Sequence, residues 1–206
     1  FLLSRLNVAR NDKIAVLLPN CLDYLTVQFA ISRAGAVMVP VNVLAQSSLL
    51  AHFLTHCEAR IVILDAAYLP ALASIADTLV NMHTLIIRGG ETGHDPALAA
   101  RFDIIPYSDL IADTARDLAP VDVSWTDPAD IFYTSGTTGV SKGVVLPHNH
   151  HYIFGLTIAQ AGRLGPDDVM YITLPFYHGA GSYMSIMPML LCGGALAIAS
   201  QFSARS

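Results

Sequence analysis

What most limits the fold open to this chain is an alternation. Short runs of β-branched and aliphatic residues recur, each followed by a longer stretch whose apolar positions keep helical spacing. The first run is IAVLL (14–18), closed by the turn Pro19-Asn20. It leads into CLDYLTVQFAISRAG (21–35), where Leu22, Leu25, Val27, Phe29 and Ile31 form a largely apolar helix that stops at Gly35. The pattern repeats in VMVPVN (37–42), the helical SSLLAHFLTHCEA (47–59) and RIVILD (60–65). It repeats again in the helical AAYLPALASIADTLV (66–80) and TLIIRG (84–89). Strands that alternate with helices predict βαβ units, hence an α/β fold with a mainly parallel sheet flanked by helices.

Between residues 89 and 130 the pattern loosens, and Gly, Pro and Asp become dense in GGETGHDPALAA and PVDVSWTDPAD. This stretch is expected to connect two structural halves, a subdomain junction near 89–130. Order returns with IFYT, GVVLP, a helical HHYIFGLTIAQAGRLG, the strand VMYITLP, and a last helix and strand around Gly193-Gly194.

The chain has 206 residues, 53% of them hydrophobic and only 13% charged, against about 25% in an ordinary soluble domain. Polar material is too scarce to cover a free-standing body, so either a membrane or a larger protein should cover it. The longest apolar run, IMPMLLCGGALAIA (186–199), is broken by Pro188 and two glycines and falls short of the ~20 residues a spanning helix needs. A membrane span is therefore not expected, and a piece of a larger protein is. The opening FLLSRLNVARND fits that expectation, since it reads as the middle of a helix and not as a signal peptide. A net charge of -5 without a basic cluster argues against a nucleic-acid partner. Cys21, Cys57 and Cys192 are far apart in apolar surroundings and read as buried thiols of a reducing, cytoplasmic protein.

TSGTTGVSKG (134–143) gathers hydroxyls, glycines and one lysine between two strand-like runs. Hydroxyls and glycine amides donate hydrogen bonds, glycines let the backbone approach closely, and a lysine adds charge, which together suit phosphate oxygens. On composition alone a Ser/Thr/Gly-rich surface turn is an equal reading. A Walker A loop is not one: counted from Gly136, Ser141 stands where glycine is required, Lys142 is followed by Gly143, and the next residues are strand-like. No G-x-S-x-G occurs, so a nucleophile-elbow hydrolase has no support.

The string YTSGTTGVSKGVVLPH (133–148) resembles the phosphate-binding signature of the adenylate-forming superfamily, the acyl-CoA synthetases, luciferases and peptide-synthetase adenylation domains. Ser141 stands where that signature usually has proline, which should loosen the loop without removing a phosphate ligand. The early segment 11–42 and LPFYHGAG (174–181) are similar to the same family, so the resemblance covers nearly the whole chain.

The resemblance implies the chemistry of an AMP-forming acid–thiol ligase. A carboxylate attacks the α-phosphate of ATP, with Mg2+, and coenzyme A then displaces AMP from the acyl-adenylate. Thr134, Ser135, Thr137 and Thr138 would supply hydroxyls to the phosphates, Gly136 and Gly139 backbone N–H groups, and Lys142 charge. His178 would border the carboxylate site and orient the acyl group, with Tyr177 as wall and Gly179 and Gly181 leaving room for the substrate chain. A core or capping role for His178 stays open. A carrier-protein acceptor, or a non-catalytic nucleotide-binding module, are the other readings.

Two histidine groups, His148, His150 and His151 in HNHH and His52 and His56 in HFLTH, lack the partners of known metal spacings and are expected to be solvated or capping. The resemblance further implies that the adenine, magnesium and coenzyme A sites and the C-terminal domain lie beyond these residues. The chain is thus expected to be part of a large N-terminal domain, inactive alone, and prone to self-association through its uncovered surface.

Overall fold

In the computed structural model, which describes residues 6–90, 95–112, 121–134 and 140–199, strand β1 (Lys13–Leu17) lies at the centre of a seven-stranded sheet. Its side chains alternate between two apolar layers. Ile14 and Val16 pack with Tyr24, Val27 and Ile31 of helix α1 (Leu22–Arg33), while Ala15 and Leu17 pack with Leu50, Phe53 and Leu54 of α2 (Ser47–His56). Burial on both faces explains why the strand reads as a continuous apolar run, as central strands of parallel sheets do.

The sheet order is β5-β4-β3-β1-β2-β6-β7, with β2 at Val37–Pro40, β3 at Ile61–Asp65, β4 at Thr84–Arg88, β5 at Asp103–Pro106, β6 at Pro128–Thr134 and β7 at Lys142–Pro147. All neighbours in it run parallel except β6 and β7, which form an antiparallel hairpin. The fold is thus the mainly parallel, helix-flanked sheet that the alternation predicts.

Two expectations are corrected, the single helix over 66–80 and the helical opening. The stretch 66–80 is not one helix but the short α3 (Leu69–Ala73) between single 3-10 turns at Ala66–Tyr68 and Ala76–Thr78. The hydroxyls of Ser74 and Thr78 donate to the carbonyls of Ala71 and Ile75, local bonds that compete with a continuous helix. The loosened region 89–130 holds α4 (Pro96–Ala99), the edge strand β5 and α5 (Tyr107–Ala112), and strands from both sides of it join one sheet. Strand β5 is short and ends in Pro106, which an edge position tolerates. The opening stretch is not helical where described. Residues 6–12 form a bend and a turn, with left-handed backbone at Asn7 and Asn11, and residues 1–5 lie outside the described ones.

After β7 come α6 (His148–Gly162), β8 (Val169–Ile172), α7 (Ile186–Cys192) and β9 (Ala195–Ile198), the two strands forming a small parallel sheet. The apolar run 186–199 is divided between α7 and β9 by Gly193, whose φ of 76° ends the helix. Among the described residues no helix is long and apolar enough to cross a membrane.

Candidate active site

The β6–β7 hairpin presents both ends of the Ser/Thr/Gly-rich loop side by side. Thr134, the last residue of β6, is paired with Lys142, the first of β7, and its hydroxyl lies 3.5 Å from the Lys142 carbonyl, at the limit of a hydrogen bond. Both residues are exposed. Residues Ser135, Gly136, Thr137, Thr138 and Gly139 lie outside the described ones. Because β6 runs parallel to β2, and β2 to β1, Thr134 stands at the carboxyl edge of the sheet, where open α/β sheets bind their ligands.

The second motif is fastened to that same edge. Asn20, in the turn after β1, donates to the Leu174 carbonyl at 2.9 Å and accepts from the Phe176 N–H at 2.8 Å. Tyr24 on α1 donates its hydroxyl to the Phe176 carbonyl at 2.9 Å, and its ring packs on Phe176, centroids 5.1 Å apart. Burial pushes the Tyr24 phenol well above its usual range, with Asp130 adding to the shift. Phe176 is fully buried, so the segment after it leaves a fixed point.

His178 then sits exposed in a turn, and its Nδ1 accepts from the Ala180 N–H at 3.3 Å, which leaves Nε2 to carry the proton of the neutral ring. Tyr177 is half-buried, with its phenol pushed up by burial. The glycines answer to neighbouring protein atoms. A Cβ on Gly181 would stand 2.1 Å from the Pro175 carbonyl oxygen, and one on Gly179 would stand 2.3 Å from the Tyr183 hydroxyl. In the direction a Cβ would take, Gly181 faces the Pro175 carbonyl and Gly179 the Tyr183 ring.

Tyr183 joins the two motifs. Its ring meets Phe132 on β6 edge-on at 5.5 Å and also packs on His150, His151 and Phe154 of α6. The hairpin that carries Thr134 and Lys142 is therefore packed against the segment that carries His178.

Residues 1–206 match the family model of the AMP-binding enzymes. The chain belongs to the AMP-binding enzyme family. Relatives include the peroxisomal benzoate–CoA ligase of Arabidopsis thaliana, 31% identical over 190 residues that make up 85% of this chain and 32% of that protein. Another is the peroxisomal trans-cinnamate:CoA ligase of Petunia hybrida, 28% identical over 85% of this chain and 33% of that protein. Among solved structures, ATP-bound MatB from Rhodopseudomonas palustris superposes with a TM-score of 0.78 at 28% identity, covering 98% of this chain and 38% of that one. This AMP-binding chain thus spans about a third of the length of these relatives.

Sequence reasoning missed the residues that hold the two motif segments in place. Asn20 and Tyr24 carry no motif, and only a turn dipeptide marked Asn20. Of the histidines expected to be solvated or capping, His56 is exposed, while His52, His148, His150 and His151 are partly buried. His151 contacts Asp130 with both side chains largely buried, and His148 is half-buried with its Nε2 unpartnered. His52 and His56 face the hairpin: His52 Nε2 lies 2.8 Å from the Ser141 carbonyl and His56 Nδ1 2.8 Å from the Tyr133 hydroxyl. Among the described residues no group of three His, Cys, Asp or Glu side chains is gathered in a way that could hold a metal ion.

Proposed function

We propose that the protein carrying this chain activates a carboxylic acid with ATP and transfers the acyl group to coenzyme A. The observation that carries the reading is the hairpin, which sets a lysine and a threonine side by side at the carboxyl edge of the sheet, packed through Tyr183 against the His178 segment. The plant relatives named as CoA ligases, and an ATP-bound structure of the same fold, support it.

In the first half-reaction a carboxylate oxygen bonds to the α-phosphorus of ATP and the bond to pyrophosphate breaks. Lys142 and the Thr134 hydroxyl, with Ser135, Gly136, Thr137, Thr138 and Gly139 as further donors, hold the β- and γ-phosphates and stabilise the charge that builds on the departing pyrophosphate. In the second half-reaction the thiol sulfur of coenzyme A attacks the acyl carbon and AMP leaves. His178 and Tyr177 border the acid and orient its carboxylate. Magnesium would neutralise phosphate charge, and among the described residues no group of three His, Cys, Asp or Glu side chains is gathered that could hold it.

The decisive assay is carboxylate-dependent exchange of labelled pyrophosphate into ATP by the full-length protein, over acids from acetate to long-chain and aromatic ones. Exchange is expected with one class of acid, and Lys142→Ala should lower it about 100-fold. The isolated 206-residue chain should show none. Full activity in Lys142→Ala would turn the reading toward a loop that binds phosphate without catalysing, and transfer to a carrier protein in place of coenzyme A would change only the acceptor.

A further inference from the structure

The two histidines of α2 are four residues apart and so lie on one face of the helix, and that face meets the stem of the phosphate loop. His56 reaches the Tyr133 hydroxyl, one residue before Thr134, and His52 reaches the carbonyl of Ser141, one residue before Lys142. The carbonyl that His52 touches belongs to the peptide bond that leads into Lys142. A carbonyl only accepts, so His52 Nε2 carries the proton of this 2.8 Å bond. Burial pushes the Tyr133 phenol well above its usual range, so it keeps its proton and can donate it to His56 Nδ1. The Tyr133 ring packs against Phe53 at 4.7 Å and meets His52 and His56 at 5.9 and 5.8 Å, which holds both imidazoles in place.

Resting on the function proposed above, we infer that His52 is a positioning residue for Lys142, and that α2 clamps the two strands of the phosphate-loop stem through His52 and His56. Ser141 occupies the place where the resembling signature has proline, so the loop lacks its own stiffening residue at this point. The bond from His52 restrains the same residue from outside the loop. Among the described residues, Lys142 is otherwise paired with Thr134 at the open end of the hairpin. A displacement of about 1 Å in a phosphate-binding group can lower the rate up to 100-fold.

The test uses the full-length protein and pyrophosphate exchange with its best acid. His52→Phe keeps a ring against Tyr133 and removes the donor, whereas His52→Gln keeps an N–H at similar reach. His52→Phe should lower kcat/KM for ATP about tenfold while KM for the acid stays within twofold, and His52→Gln should recover most of the loss. In a Lys142→Ala background His52→Phe should cost nothing further, because its effect passes through that lysine. A second readout is free of turnover: His52→Phe should bind magnesium pyrophosphate about tenfold more weakly by calorimetry. Unchanged kcat/KM and unchanged pyrophosphate affinity would overturn the clamp, as would an equal loss with and without Lys142. Absence of exchange in the unsubstituted protein would overturn the proposed function instead, and the clamp would then stand or fall on pyrophosphate affinity alone.

Discussion

Gly181 shows how a motif glycine can be required by protein packing. Its Cα lies against the Leu174 and Pro175 carbonyls, and a methyl group there would stand 2.1 Å from one oxygen and 2.8 Å from the other. Both belong to backbone that Asn20 and Tyr24 hold at either side, so the chain has little freedom to withdraw. Gly181→Ala should therefore destabilise the protein by about 3 kcal/mol, read as a thermal midpoint several degrees lower in scanning calorimetry. An unchanged midpoint would mean that the 174–176 segment yields more readily than its hydrogen bonds suggest.

Helix α6 begins with three histidines in four residues, and its N-terminus is a poor place for added positive charge. Burial lowers the pKa of His148 below 6.5; Asp130 and Asp127 oppose that shift, and His151 adds to it. Burial lowers that of His150 as well. The sign of the linkage follows: below about pH 6.5 the unfolded chain binds protons that these native side chains resist. Stability should be complete above that pH and fall as the pH drops toward the depressed native values. Melting temperatures compared between pH 7.5 and 5.5 should show a smaller drop for His148→Gln than for the unsubstituted protein. Equal drops would place the sensitivity elsewhere. At the opposite end of the sheet's carboxyl edge, Arg88 at the end of β4 bonds Asp23 on α1 at 2.6 Å and Asp65 on β3 at 2.7 Å, joining a helix start to two strand ends.

The low charge of the chain has a counterpart in its surface. Strand β7 is a sheet edge with Val144 and Val145 exposed, α6 exposes Tyr152, Ile153 and Phe154, and β8 exposes Val169 and Tyr171. An apolar edge strand is a template for further pairing. The 206-residue chain produced alone should self-associate, seen by light scattering as a mass that grows with concentration, and Val145→Lys should reduce that growth. A concentration-independent monomer would show that these side chains do not form a continuous patch.

The amino-acid sequence alone determined the α/β class, the central parallel strands and the family, because each is written in contiguous residues. Alternating apolar periods specify strand and helix, and TSGTTGVSKG carries its chemistry within ten positions. Strand β5 escaped because an edge strand of four residues ending in proline makes too weak a period to stand out. Tertiary structure decided what holds the site. Asn20 and Tyr24 meet residues 154 and 152 positions away, and His52 and His56 meet the hairpin at separations of 89 and 77. Those partnerships arise only when the parallel register of the sheet brings β1, α2 and the hairpin to one edge. No local pattern can encode them, because which side chain lies opposite which is set by packing between segments and not by spacing within one.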